Sequence, residues 1–173
     1  MTGDERREKI MQILRETQVP LSGTELSRRL CVSRQVIVQD IALLRAVNKN
    51  ILSTNKGYIL FQDGTESRKM KRSIKVSHKD EQIKDELYTI VDFGGHVLDV
   101  VVEHEIYGII TCDLIIHSRQ DVDDFVSQCD SKGAKGLGTL TEGIHYHTVE
   151  ADSEEVLNRI ERELRNKGYL HIY

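Results

Sequence analysis

The sequence predicts an α+β protein built in two parts, and three observations predict it. Residues 1–72 carry three amphipathic helical stripes followed by a short hairpin signal. Residues 73–173 alternate strand-like and helix-like stretches in the order β-α-β-β-α-β-α-β, which indicates helices on one face of a largely antiparallel sheet. The charge divides at the same place. Residues 1–72 hold 14 Lys+Arg against 8 Asp+Glu and no histidine, whereas residues 73–173 hold 10 against 20 and all seven histidines. A net charge of -4 therefore hides a basic front and an acidic rear. A basic module suits a polyanion, and a module rich in histidine and carboxylate suits a metal ion or a small effector.

The first helix is expected from about Asp4 to Thr17, where Ile10, Ile13, Leu14 and Thr17 form one stripe. Pro20, the only proline, helps to end it. Ser22-Gly23-Thr24-Glu25 reads as a capping box opening a short helix that ends near Leu30. Cys31-Val32 makes a tight turn, and Ser33 caps a third helix, Arg34 to about Val47, with Ile37, Ile41 and Leu44 inside. Two short helices across a tight turn have the layout of a helix-turn-helix, whose second helix opens into the major groove. Its outer face carries Arg34, Gln35, Val38 and Gln39, behind Ser33 at the cap. Arginine suits guanine, glutamine suits adenine, and valine can touch a thymine methyl. Ile51–Thr54 and Tyr58–Phe61 flank Asn55-Lys56-Gly57, a hairpin that serves as a wing with Lys56 at its tip for a phosphate or the minor groove. Leu21 through Gln35 and Asp40 through Arg45 resemble the winged helix that opens the biotin repressor and many ligand-sensing regulators. The remaining chain is too short for that repressor's ligase domain. The domains are expected at 1–61 for the winged helix, 62–72 for a turn-rich, basic linker and 73–173 for the sensor.

In the rear half, Ser73–Ser77 alternates as a strand ending at His78. A helix follows from about Asp80 with Ile83, Leu87, Ile90 and Val91 inside, closed by Gly94-Gly95. Val97–Glu103 and Ile106–Ile116 are strands. Ser118 precedes a helix with the stripe Val122, Phe125, Val126 and Cys129, ended by Gly133. Gly136-Leu137-Gly138 is a loop, Ile144–Glu150 a strand, and Ser153 caps a last helix that Gly168 ends before a strand at Tyr169–Ile172.

His145-Tyr146-His147 is the strongest chemical feature. In a strand, side chains at i and i+2 share a face about 6.5–7 Å apart, so both imidazoles can reach one ion. His78 stands at a strand-to-helix corner and Glu86 lies about two helical turns further on, so both can face the same side of the sheet. Three imidazoles and a carboxylate suit a divalent transition metal with room for an exogenous ligand. His96, His104, His117 and His171 read as turn or strand-end residues.

The whole chain resembles the niacin-responsive transcriptional repressors, through His78, Asp99 to Gly108 and Leu140 to Thr148. In that family the rear half is the three-histidine domain. The resemblance implies a dimeric repressor of NAD-biosynthesis or niacin-uptake genes that binds operator DNA with nicotinic acid as co-repressor. It also implies a metal, nickel in the family, at the positions of His78, Glu86, His145 and His147, with zinc as the alternative ion. Glu105 stands where the family often has proline. A second reading makes the ion itself the signal, and a third makes the rear domain a small metal-dependent hydrolase with Glu142 or Glu103 as base. Enzymatic activity is not expected. At 39% hydrophobic and 30% charged residues the composition is that of a soluble globular protein. No apolar run approaches the roughly 18 residues of a membrane span, and Met1–Lys9 does not resemble a signal peptide. The three cysteines are expected to be small buried hydrophobes in a reducing cytoplasm.

Overall fold

The computed structural model describes residues 1–47, 50–60 and 69–171. The chain forms two compact units, residues 1–65 and 66–173. In the first, α1 (Gly3–Glu16), α2 (Gly23–Leu30) and α3 (Arg34–Val47) precede a hairpin of β1 (Ile51–Thr54) and β2 (Gly57–Leu60). Ile10, Leu14, Leu26, Ile37, Ile41 and Ile51 make its buried core. Each contributes on the order of 1.5–3 kcal/mol of apolar burial. Gly57 is required where it stands. Its φ is +134°, and a Cβ there would lie 2.3 Å from the Leu21 carbonyl oxygen. That close approach lets Leu21 and Tyr58 exchange two backbone hydrogen bonds of 2.8 Å, which tie the wing to the start of α2.

Two local expectations change here. The Ser22 hydroxyl accepts from the Glu25 amide, but the reciprocal half of the box is formed instead at Thr2 and Glu5. Glu25 turns along the helix to pair with Arg29 at 2.9 Å, a stronger partner than a neutral amide. Cys31 is exposed, because it is the left-handed residue that ends α2, with φ +54°.

The second unit is a four-stranded antiparallel sheet in the order β3-β6-β4-β5, with helices packed on one face. Its elements are β3 (Met70–Ser77), α4 (Ile83–Asp92) entered through a 3-10 turn at Asp80–Gln82, β4 (His96–His104), β5 (Gly108–Ile116), α5 (Arg119–Lys132), a 3-10 turn (Leu137–Thr141), β6 (Ile144–Ala151) and α6 (Glu154–Asn166). Ile74, Val76, Val97, Ile116 and Val149 of the sheet pack with Leu87, Ile90, Val122, Leu157 and Ile160 of the helices.

β3 begins three residues earlier than the alternation from Ser73 indicated, because Met70–Arg72 pair with Ala151–Val149 of β6. These residues therefore belong to the sheet and not to a linker, while 62–68 and Phe61 lie outside the described residues. β5 starts at Gly108, not Ile106, because Ile106 and Tyr107 form the exposed turn of the β4–β5 hairpin. The last strand is reduced to a bridge between Leu170 and Val76, with Ile172 outside the described residues. Cys112 is exposed and Cys129 half-buried, so with Cys31 none of the three cysteines is fully buried as expected. Of the α5 stripe only Val122 is fully buried, and Phe125 and Val126 pack at the margin.

Candidate metal and effector site, and the DNA-reading helix

Along β6 the buried positions are His145, His147, Val149 and Ala151, so both histidines point into the core with the apolar residues. His145 is 5% exposed and His147 4%. That burial separates them from an ordinary pair of surface histidines. Glu86 is delivered from α4 on the same face as Leu87 and Ile90 and is 1% exposed. His78 follows the last residue of β3, and its side chain is 2% exposed.

The structure brings these four side chains together. Glu86 Oε2 lies 3.5 Å from His78 Nε2 and 3.5 Å from His147 Nε2. Ligand atoms of His78, Glu86 and His145 all fall within 4.8 Å of one another. His147 stands outside that tight trio but reaches the same Glu86 oxygen, and its ring centroid is 4.9 Å from that of His145.

Each imidazole is held from behind by a backbone carbonyl. His78 Nδ1 bonds the Lys79 oxygen at 2.9 Å, His145 Nδ1 the Gly143 oxygen at 2.9 Å, and His147 Nδ1 the Asp99 oxygen at 2.7 Å. A carbonyl can only accept, so Nδ1 carries the proton and the Nε2 lone pair of the neutral ring is left free to ligate. Two backbone features supply these carbonyls. A β-bulge between Val97 and Val101 of β4 turns Asp99 toward β6, where its carboxylate also accepts from the Thr148 amide at 2.9 Å. Gly143, with φ +93°, presses against His78: a Cβ would sit 2.5 Å from the His78 oxygen. The Gly143 carbonyl thereby receives both the His78 amide and the His145 ring. No sequence pattern announced either device, although the glycine itself was visible.

Burial opposes charge on all three rings. At His145 it prevails, with the charge of His147 adding to it, and the pKa falls to about 4. At His78 and His147 burial is outweighed by the nearby Glu86 carboxylate, which raises both. For Glu86 burial is likewise outweighed, by His147 and then His78, which hold the carboxyl well below its usual range. The group is thus ionised and buried, yet both its oxygens and His78 Nε2 lack a hydrogen-bond partner. Such orphaned groups cost several kcal/mol unless something binds them. A set of three Nε2 atoms and one carboxylate fits a divalent transition ion.

Beside this cluster lies a cavity of ≈ 40 Å³, walled by Leu87, Val100, Leu114, Phe125 and Leu137 and also lined by Asp80 and Gly136. That volume holds about three waters and is far too small for a dinucleotide.

In the first unit, Ser33 caps α3 by accepting from the Val36 amide at 3.3 Å. Arg34, Gln35, Val38 and Gln39 are all exposed on one side, while Ile37 and Ile41 are buried on the other. Lys56 sits between Thr54 and Gly57 at the wing turn and is half-buried. The Arg34 stem lies 3.6 Å from the space above Gly23, beside Tyr58 of the wing. Asp40, on the inner face of α3, was not singled out in the sequence. It is 3% exposed and pairs with Arg6 at 2.5 Å and Arg7 at 3.1 Å, clamping α3 to α1.

Comparison with known proteins agrees with both halves. Residues 6–59 match the HTH domain family and residues 71–172 the 3H domain family. The class is therefore a DNA-binding regulator that joins a helix-turn-helix to a 3H domain. The probable transcription repressor NiaR of Thermotoga maritima is 44% identical over 166 residues, covering 96% of this chain and 93% of that protein. The transcription repressor NadR of Bacillus subtilis is 37% identical over 171 residues, covering 98% and 95%. The chain belongs to this NiaR/NadR family of transcription repressors. Theirs is a non-enzymatic role, in line with the expectation and against the alternative hydrolase reading. Among the described residues no helix is long and apolar enough to cross a membrane.

Proposed function

We propose that the chain represses genes of NAD biosynthesis or niacin uptake, with nicotinic acid as co-repressor and a divalent metal held by His78, Glu86, His145 and His147. Nickel is the ion that the family resemblance favours. The observation that carries the metal reading is Glu86, a buried carboxylate whose two oxygens lack a hydrogen-bond partner and whose Oε2 faces two imidazole Nε2 atoms. A divalent ion there supplies positive charge and an open position for a carboxylate or pyridine nitrogen. The apolar lining beside the cluster, Leu87, Val100, Leu114, Phe125 and Leu137, favours an organic ligand as the regulated species over the ion alone, because an ion needs no apolar wall.

The protein's own residues do the coupling. His78 directly follows β3, the first strand of the second unit, and Glu86 and His147 come from α4 and β6. Drawing these groups together fixes β3 against its neighbours. Operator binding falls to Ser33, Arg34, Gln35, Val38 and Gln39 of α3, with Lys56 on a phosphate or in the minor groove. One such helix reads one half-site, so a cytoplasmic homodimer is the working species. Elemental analysis of purified protein, followed by operator titrations with metal and nicotinic acid added separately, tests this. Repression by metal alone would favour the ion as the signal.

A further inference from the structure

We propose that charge selects the occupant of the cavity, and that Asp80 limits it to a ligand with a single acidic group; this rests on the nicotinic-acid reading above. Among the described residues no lysine or arginine lines the cavity. Its polar wall consists of imidazoles and two carboxylates, Glu86 at the cluster and Asp80. An acidic ligand therefore finds no lysine or arginine to meet it. Its one acidic group must be directed to the histidine cluster, where the bound ion offsets Glu86. Without the ion, the same group would face a buried carboxylate of like charge.

Asp80 sets the other limit because it cannot turn away. It opens the 3-10 turn before α4, and its Oδ2 accepts the Gly136 amide at 3.2 Å. The loop backbone presses on its other oxygen: a Cβ on Gly136 would lie 2.9 Å from Asp80 Oδ1 and 2.7 Å from Ile83 Cδ1. The next glycine of the loop is as close to the cluster, since a Cβ on Gly138 would lie 2.8 Å from His145 Nδ1. The loop thus holds a fixed negative charge on the wall of a small cavity whose far side is apolar. A ring bearing a second acidic group, or a phosphate, brings like charge against it in a poorly hydrated space.

Calorimetric titration of the full chain compares two probes built on the same ring, and the Asp80 variants separate the charge of the second carboxylate from its bulk. Nicotinate carries one carboxylate, and pyridine-3,5-dicarboxylate carries two without offering a nitrogen–carboxylate chelate. The nickel-loaded protein should bind nicotinate at least about tenfold more tightly than the dicarboxylate, and the chelator-treated protein should bind neither. In Asp80→Asn, which retains an oxygen for the Gly136 amide, the ratio of the two affinities should shrink by about tenfold. Asp80→Ser serves as the second variant, and melting curves verify that each is folded. Equal binding of both acids by the native chain, an undiminished ratio in both variants, or nicotinate binding without metal would overturn the charge gate while leaving nicotinic acid as effector. Failure of nicotinate to bind any form would overturn the effector reading and the gate together.

Discussion

Asp40 shows how one buried residue can hold the helix-turn-helix unit together. Its carboxylate is buried and bridges Arg6 and Arg7, so Asp40→Ala should destabilise the unit by about 2–3 kcal/mol, less than a fully enclosed pair because the arginines can rehydrate. Urea denaturation would measure the loss, and an unchanged midpoint would show that the clamp contributes nothing. A second prediction concerns Gly138. Its replacement by alanine puts a methyl 2.8 Å from His145 Nδ1, displacing the ring and weakening metal binding by at least about tenfold while secondary structure persists. Competition with a chromogenic chelator reads this directly. The histidines were legible because strand alternation puts i and i+2 on one face, and Glu86 because it adjoins Leu87 in a helical stripe. Asp40 was not, since an acid between Ile37 and Ile41 looks like any boundary residue until its arginine partners, more than thirty positions away in sequence, are placed beside it.

Elements whose physics is local were legible: the third helix with its Ser33 cap, the wing turn at Asn55-Lys56, the helix after Ser118 and the Ser153 cap all stand where the sequence put them. What depended on pairing across the sheet was not. The early start of β3 is decided by β6, and the β4 bulge has no signature in Val97-Leu98-Asp99-Val100, which reads as plain strand. The bulge nevertheless sets the orientation of His147. Asp99→Ala should therefore cost about 1–2 kcal/mol through the unpaired Thr148 amide, and lower metal affinity as the His147 carbonyl partner loosens. Thermal melts with and without metal would separate the two effects. For α3, Arg34→Ala or Gln39→Ala should weaken specific operator binding by about 1–3 kcal/mol with the fold intact, while Lys56→Ala should weaken all sequences alike and flatten the salt dependence. Operator affinity unchanged in the Arg34 and Gln39 variants would mean that another surface reads the bases.

On the scale of the whole molecule, a basic helix-turn-helix unit and an acidic 3H unit are joined in one chain, and the proposed site lies in the 3H unit. The proposed ligands lie just after β3, on α4 and on β6, so binding there would act on how firmly the first strand of that unit is held. Bound effector can raise operator affinity only by as much as it prefers the DNA-competent state. Removing the two β6 imidazoles removes the pair whose spacing enforces chelation, but leaves α3 and the wing untouched. The direct test is operator affinity measured with and without nicotinic acid, in metal-loaded native protein and in the His145→Ala, His147→Ala double variant. The native protein should bind its operator more tightly when nicotinic acid is added, and the double variant should keep its basal affinity without responding. A double variant that responds as fully as the native protein would contradict the assignment of sensing to the histidine cluster.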